Sequence, residues 1–220
     1  MKIQDIELDW LGHSAFKIKT KNKTIFIDPF QISDKDKADL ILITHSHYDH
    51  CSSQDIEKIA KDGTIIICTA DSQSKINRIQ KKIEIVLVEP GKEVSFSDIK
   101  IKTINAYNTN KPFHKKSEFW IGYLILIGKT AVYHSGDTDL IKEMSDLEEY
   151  SKKYYLIALL PVDGKYNMNS QEAFKAATII KPSLAIPMHY GSIAGTEADA
   201  KKFVELCQEK GINAEILEKT

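Results

Sequence analysis

The chain has 220 residues, 42% hydrophobic and 28% charged, and its 30 basic and 31 acidic residues leave a formal net charge of −1. A chain of this length is expected to form one domain with a sizeable core, here a single domain over residues 1–220. The intermixed charge gives no global field for nucleic acid or an anionic membrane surface, and no apolar run approaches the roughly 20 residues that span a bilayer.

At the start, Asp5, Glu7 and Asp9 interrupt the apolar positions, unlike a secretory leader, so the expectation is a cytoplasmic protein without a membrane anchor. Ile6, Leu8 and Trp10 alternate, Phe16 and Ile18 follow, and "TIFID" comes next, which predicts two or three antiparallel strands. "DLILIT" reads as a fully buried strand. In "SSQDIEKIAKD", Ile56, Ile59 and Ala60 share a helical face behind a Ser52 cap, with Gly63 past the end. A strand at "TIIIC", a helix at "SQSKINRIQKK" and a strand at "IEIVLV" lead to the turn "EPGK".

Two hairpins follow, one turning at Ser97 and Asp98 and one at Gly128 and Lys129. Thereafter the pattern alternates: a helix near "LIKEMSDLEEY", strand "YLIALLPV", helix "SQEAFKAATIIK", strand "SLAIPMH", helix "EADAKKFVELCQEK" and strand "NAEIL". Grouped strands with helices between them in each half predict an α/β protein with two mixed β-sheets packed face to face and flanked by helices. The three cysteines, Cys51, Cys68 and Cys207, are odd in number and widely spaced, which fits a reducing compartment better than a disulfide framework. Cys51 is expected to pack at a helix entrance.

Only seven histidines are present, and three of them fall in "ITHSHYDH" at the end of the buried strand. His45 and His47 are two apart, so on an extended backbone both rings project to one side, as a pair of metal ligands on a strand end requires. Asp49 and His50 are adjacent and diverge, and can serve a second ion about 3.5–4 Å away. Asp137 in "YHSGDT" and His189 in "PMHYG" each follow an apolar strand, and neighbouring strand ends can bring such side chains together.

"THSHYDH" resembles the signature of the metallo-β-lactamase superfamily, and the other motifs arrive in that family's order from "LGHSAF" to "PMHYG". The resemblance implies a four-layered αβ/βα sandwich. It also implies metal ligands at His45, His47, Asp49, His50, Asp137 and His189, with Asp137 bridging two ions and Asp28 of "IFIDP" supporting the metal-binding loop. His13 and His134 match positions near the site that are not expected to be ligands. In the family a further histidine sits between the first cluster and the bridging aspartate. Here the strand end reads "INAYNTNKPFHKK", with Asn108 at that place and His114 six residues on. Three readings stay open: His114 swings in as ligand or proton donor, Asn108 offers its carbonyl oxygen, or one ion is held firmly and the other weakly.

These features imply a metal-dependent hydrolase similar to the compact ascorbate-phosphate lactonase and phospholipase D-like branch. A metal-bound hydroxide would act on an ester, lactone, thioester or phosphoester, with Asp49 and His114 as catalytic groups. Two divalent ions per chain are expected. The histidine and carboxylate ligands point to zinc, with manganese and iron open. The expected partner is a small-molecule substrate, anionic if Lys111, Lys115, Lys116 and Lys165 serve it, beside an apolar rim of Phe30, Phe113, Tyr166 and Tyr190. Homo-oligomerisation stays open. The competing classes are a phosphodiesterase or nuclease, disfavoured by the lack of a basic stripe, and a non-catalytic metal sensor.

Overall fold

Thirteen strands in two mixed sheets, described over residues 1–220 of a computed structural model, organise the chain. They fall into two compact units, Met1–Glu89 with Glu218–Thr220, and Pro90–Leu217.

The first unit is built on a seven-stranded sheet whose spatial order is the chain order. Strands β1 (Lys2–Ile3), β2 (Ile6–Gly12), β3 (Ala15–Lys19) and β4 (Thr24–Ile27) form an antiparallel meander. β5 (Leu40–Leu42), β6 (Ile65–Cys68) and β7 (Glu84–Leu87) then add in parallel. Helix α1 (Ser53–Ile59) is capped by the Ser52 hydroxyl, which accepts from the Asp55 N–H, as the sequence pattern predicts. It buries Ile56 and Ile59 in a core with Leu11, Phe26, Ile41, Ile43 and Ile66.

The expected helix over "SQSKINRIQKK" is shorter than predicted: α2 covers only Gln73–Ile76. Side chains and carbonyls elsewhere claim the backbone beyond it. Gln80 N–H donates to Glu57, Lys82 N–H donates to Asp62, and the Lys82 carbonyl accepts from Gly63, which turns the chain toward β7.

The second unit repeats this plan in six strands. β8 (Glu93–Phe96), β9 (Ile99–Asn105), β10 (Ile121–Ile127) and β11 (Thr130–His134) form an antiparallel meander. β12 (Tyr155–Pro161) and β13 (Leu184–Met188) join in parallel, and both predicted hairpin turns are present. Helices α4 (Ser170–Ile180) and α5 (Glu197–Glu209) begin on reciprocal capping boxes, Asn169 with Glu172 and Thr196 with Asp199.

The segment "LIKEMSDLEEY" is mainly a 3₁₀ helix over Lys142–Leu147, followed by a single α-turn, α3 (Glu148–Ser151). Its buried residues Ile141, Met144 and Leu147 recur every third position, the spacing that a three-residue turn aligns on one face. "NAEIL" does not form a strand. Only Ala214 bridges Ala185, and the chain then runs on to Thr220, whose N–H donates to the Trp10 carbonyl.

Candidate metal centre

In both units the chemistry-bearing residues stand just beyond the carboxyl ends of strands, the edge where open α/β sheets present their ligand-binding groups. Asp28 follows β4 and the 45–50 cluster follows β5. Asn108 follows β9, Asp137 follows β11, and His189 follows β13. His13, Asp28 and His189 adopt left-handed backbone at φ of 53°, 45° and 60°, a conformation uncommon for residues with a side chain and concentrated at functional sites.

In the first unit Asp28 is fully buried and organises the histidine loop. Its Oδ1 accepts the Thr44 N–H at 2.8 Å, and its Oδ2 accepts the Thr44 hydroxyl at 2.7 Å and His50 Nδ1 at 2.8 Å. Thr44 spends its one hydroxyl proton on the carboxylate, so its oxygen must accept from His45 Nδ1, 2.9 Å away. One carboxylate therefore keeps the proton on Nδ1 of two histidines, by accepting directly from His50 and, through Thr44, from His45. That tautomer places the lone pair of both rings on Nε2, the arrangement of a histidine prepared to ligate a metal.

The His45 ring lies 4.6 Å from that of His47 and 4.2 Å from that of His50, centroid to centroid. His13 Nε2 is 2.9 Å from Asp49 Oδ2, and His50 Nε2 is 3.6 Å from the same oxygen. Cys51 packs at the entrance to α1, where burial pushes its thiol up to about 11, well away from the thiolate a metal would need.

In the second unit His114 is buried, 1% exposed, instead of lying in an open loop. Its Nε2 is 3.2 Å from Asp137 Oδ2, and His189 Nε2 is also 3.2 Å from that oxygen. Asn108 turns toward the protein: its Oδ1 meets both the backbone N–H and Nδ1 of His114, and its Nδ2 donates to the Tyr166 carbonyl. Burial works against charge on His189. The adjacent carboxylates of Asp137 and Asp163 outweigh it and push the imidazole up to about 10, so this corner of the unit favours positive charge. Asp163 Oδ2 is 3.2 Å from His189 Nδ1.

Asp163 is a partner that sequence reasoning missed. The signal was available, since it follows the apolar strand "YLIALLPV" much as Asp137 follows "TAVYH". His134, in contrast, accepts the Gly136 N–H on Nδ1 at 3.2 Å, which leaves its proton on Nε2 and makes it unsuited to bind metal through that nitrogen. Gly122 on β10 is required by close approach, because a Cβ there would lie 2.6 Å from the carbonyl oxygens of His134 and Ser135, just before Asp137.

The expected rim and lysine cluster are only partly present. Phe113 is 42% exposed and meets the Tyr166 ring edge-on at 4.8 Å, whereas Phe30 and Tyr190 are buried. Lys111 is tied to Asp139 at 2.5 Å, and Lys116 is tied to Glu143 at 3.2 Å. No helix is long and apolar enough to cross a membrane.

A family model described as a beta-lactamase superfamily domain matches residues 7–189. A UPF0173 metal-dependent hydrolase of Thermoplasma acidophilum is 32% identical over 212 residues, covering 93% of this chain and 92% of that relative. Among solved structures, a Parabacteroides distasonis protein provisionally named a metal-dependent hydrolase superposes with a TM-score of 0.83 at 30% identity, covering 98% of this chain and 94% of the other. Igni18, a metallo hydrolase of Ignicoccus hospitalis, shares the fold with a TM-score of 0.77 at 23% identity, covering 97% of this chain and 95% of its own. The α/β fold expected from the strand grouping is thus the fold of these hydrolases, and the chain belongs to the metallo-β-lactamase superfamily.

Proposed function

We propose that the protein is a metal-dependent hydrolase of small esters, lactones, thioesters or phosphoesters, with His45, His47, Asp49, His50, Asp137 and His189 as its metal ligands. The observation that carries this reading is the matched preparation of His45 and His50. His45 and His50 donate from Nδ1 to hydrogen-bonded partners and offer Nε2, and the neighbouring carboxylates complete a nitrogen and oxygen donor set that suits zinc, with manganese and iron also served. A divalent ion held by such a set supplies the acidity that generates hydroxide near neutral pH and the charge that polarises an acyl or phosphoryl oxygen.

The chain's own residues do the rest. Asp28 holds His45 and His50 in the ligating tautomer, and Asp163 lies against Nδ1 of His189. Asp49, paired with His13, orients the attacking water and accepts its proton. His114 lies beside Asp137 and serves as the missing family histidine, with Nε2 as its ligating or proton-donating atom. Phe113 and Tyr166 present an aromatic wall to the substrate, and the exposed Lys115 and Lys165 are the lysines placed to meet an anionic group. The three buried, unpaired cysteines fit a cytoplasmic setting.

The test is metal analysis followed by turnover of generic ester, lactone, thioester and bis-nitrophenyl phosphate substrates. Zinc-loaded protein is expected to hydrolyse at least one of them, with activity lost on chelation, restored by the ion and abolished in His47→Ala. Full metal occupancy without turnover across the panel would overturn catalysis in favour of a metal sensor.

A further inference from the structure

We propose that Asn108, which stands where the family places a metal-binding histidine, is the positioning residue that hands this role to His114 by fixing its tautomer and aim. The proposal rests on the reading of His114 given above.

The amide orientation of Asn108 follows from two groups whose roles cannot change. The His114 backbone N–H can only donate, and it lies 2.9 Å from one end of the amide, which must be Oδ1. The Tyr166 carbonyl can only accept, and it lies 2.9 Å from the other end, which must be Nδ2. His114 Nδ1 is 3.1 Å from Oδ1, an atom without a proton, so Nδ1 is the donor and the ring's ligating electron pair is on Nε2. Oδ1 now meets two donors from one residue, which occupies its acceptor capacity and turns it away from any role as a metal ligand. Asn108 N–H also donates to the His114 carbonyl at 2.7 Å, so the six-residue excursion is clamped at its base by three contacts.

The loop is fixed at its other points as well. Tyr107 exchanges hydrogen bonds with the Thr138 and Asp139 backbone and side chain, with its N–H to Thr138 Oγ1 at 3.2 Å and its carbonyl accepting the Asp139 N–H at 3.0 Å. The buried Asp139 carboxylate accepts the Thr109 N–H at 2.8 Å and Lys111 Nζ at 2.5 Å. The segment that carries Asp137 thus also anchors the loop that carries His114, and Nε2 of His114 reaches Asp137 Oδ2 at 3.2 Å. A histidine delivered from a loop depends on such a scaffold, because each freely rotating side chain or backbone torsion dilutes the ligating geometry.

The experiment compares His114→Ala, Asn108→Ala, Asn108→Asp and the Asn108→Ala/His114→Ala double variant in the full chain, by zinc competition against a chromophoric chelator and by long-range ¹H–¹⁵N spectra of the histidine rings. Zinc-loaded wild type is expected to show a protected Nδ1–H on His114, lost in Asn108→Ala. Asn108→Ala should weaken zinc binding about 10- to 100-fold, the usual cost of removing a group that orients a ligating histidine. Asn108→Asp, which keeps the acceptor, should restore most of the affinity. Because Asn108 acts through His114, the double variant should bind no worse than His114→Ala alone. If His114→Ala binds zinc as wild type does, the ligand reading itself falls. If His114→Ala loses zinc while Asn108→Ala keeps both affinity and the Nδ1–H signal, only the positioning role of Asn108 is overturned. Should Asn108→Ala fail to fold, Asn108→Asp decides through the same spectrum: an Nε2–H tautomer there or in wild type contradicts the proposal.

Discussion

The two units share a plan, an antiparallel meander extended by parallel strands, yet present their candidate metal-binding groups differently. The first concentrates His45, His47, Asp49 and His50 after one strand and steers two of the rings with one carboxylate, Asp28. The second collects His114, Asp137 and His189 from three separate strand ends and gives the histidines separate partners, Asn108 and Asp163. A shared anchor makes the first set economical and fragile. Separate anchors make the second set extended in sequence and tolerant of single losses.

Asp28→Ala should break this contrast most severely, because the Thr44 N–H, the Thr44 hydroxyl and His50 Nδ1 all lose their acceptor. Two histidines lose orientation at once, so zinc affinity is expected to fall about 10³-fold, the product of two such losses. A fall no larger than that of a single histidine variant would show that the relay through Thr44 carries nothing.

Smaller effects separate the links. Thr44→Val removes only the His45 arm, and Asp163→Ala only the contact to His189, and each should weaken zinc binding about 10- to 100-fold. Equal losses in Thr44→Val and Asp28→Ala would mean that His50 needs no anchor.

Gly122→Ala tests the frame beneath Asp137. A methyl group placed 2.6 Å from two backbone oxygens must displace β10 or β11, and a destabilisation of about 1–3 kcal/mol is expected in urea unfolding. An unchanged midpoint would show that the strand pair can yield without cost.

The smallest effect is a pH dependence confined to the first unit. Burial alone would raise the Asp55 carboxyl, but Lys58, Ser52 and the Gln31 N–H outweigh it and hold the group below the ordinary 3.8. A carboxyl depressed in the folded state contributes stability that is complete above 3.8 and lost as pH falls through the folded value. Asp55→Asn should therefore flatten the loss of stability as pH falls below 3.8, followed as the unfolding midpoint against pH. A variant with the same acid limb as wild type would remove Asp55 from the account.

Most of the fold was legible because its signals are local. Period-two strands, the Ser52 cap and the two hairpin turns act over a few residues, and these formed as the pattern predicts. The helix over 73–82 stops short because backbone groups at 80 and 82 bond to side chains distant in sequence, and no local propensity reports that competition; at 213–215 the pairing with Ala185 is a single bridge too short to make a strand. At 141–147 the pattern predicts a helix, and its three-residue apolar spacing makes that helix mainly 3₁₀.

By itself the sequence determined the family, the αβ character of both halves and the identity of the donor types, because motif spacing and hydrophobic period are properties of short stretches. Only the tertiary structure decided how Asn108 and His114 are held. The two are six positions apart on one loop, and that loop is fixed by the Tyr166 carbonyl and the Asp139 carboxylate, groups that sequence spacing cannot bring beside them.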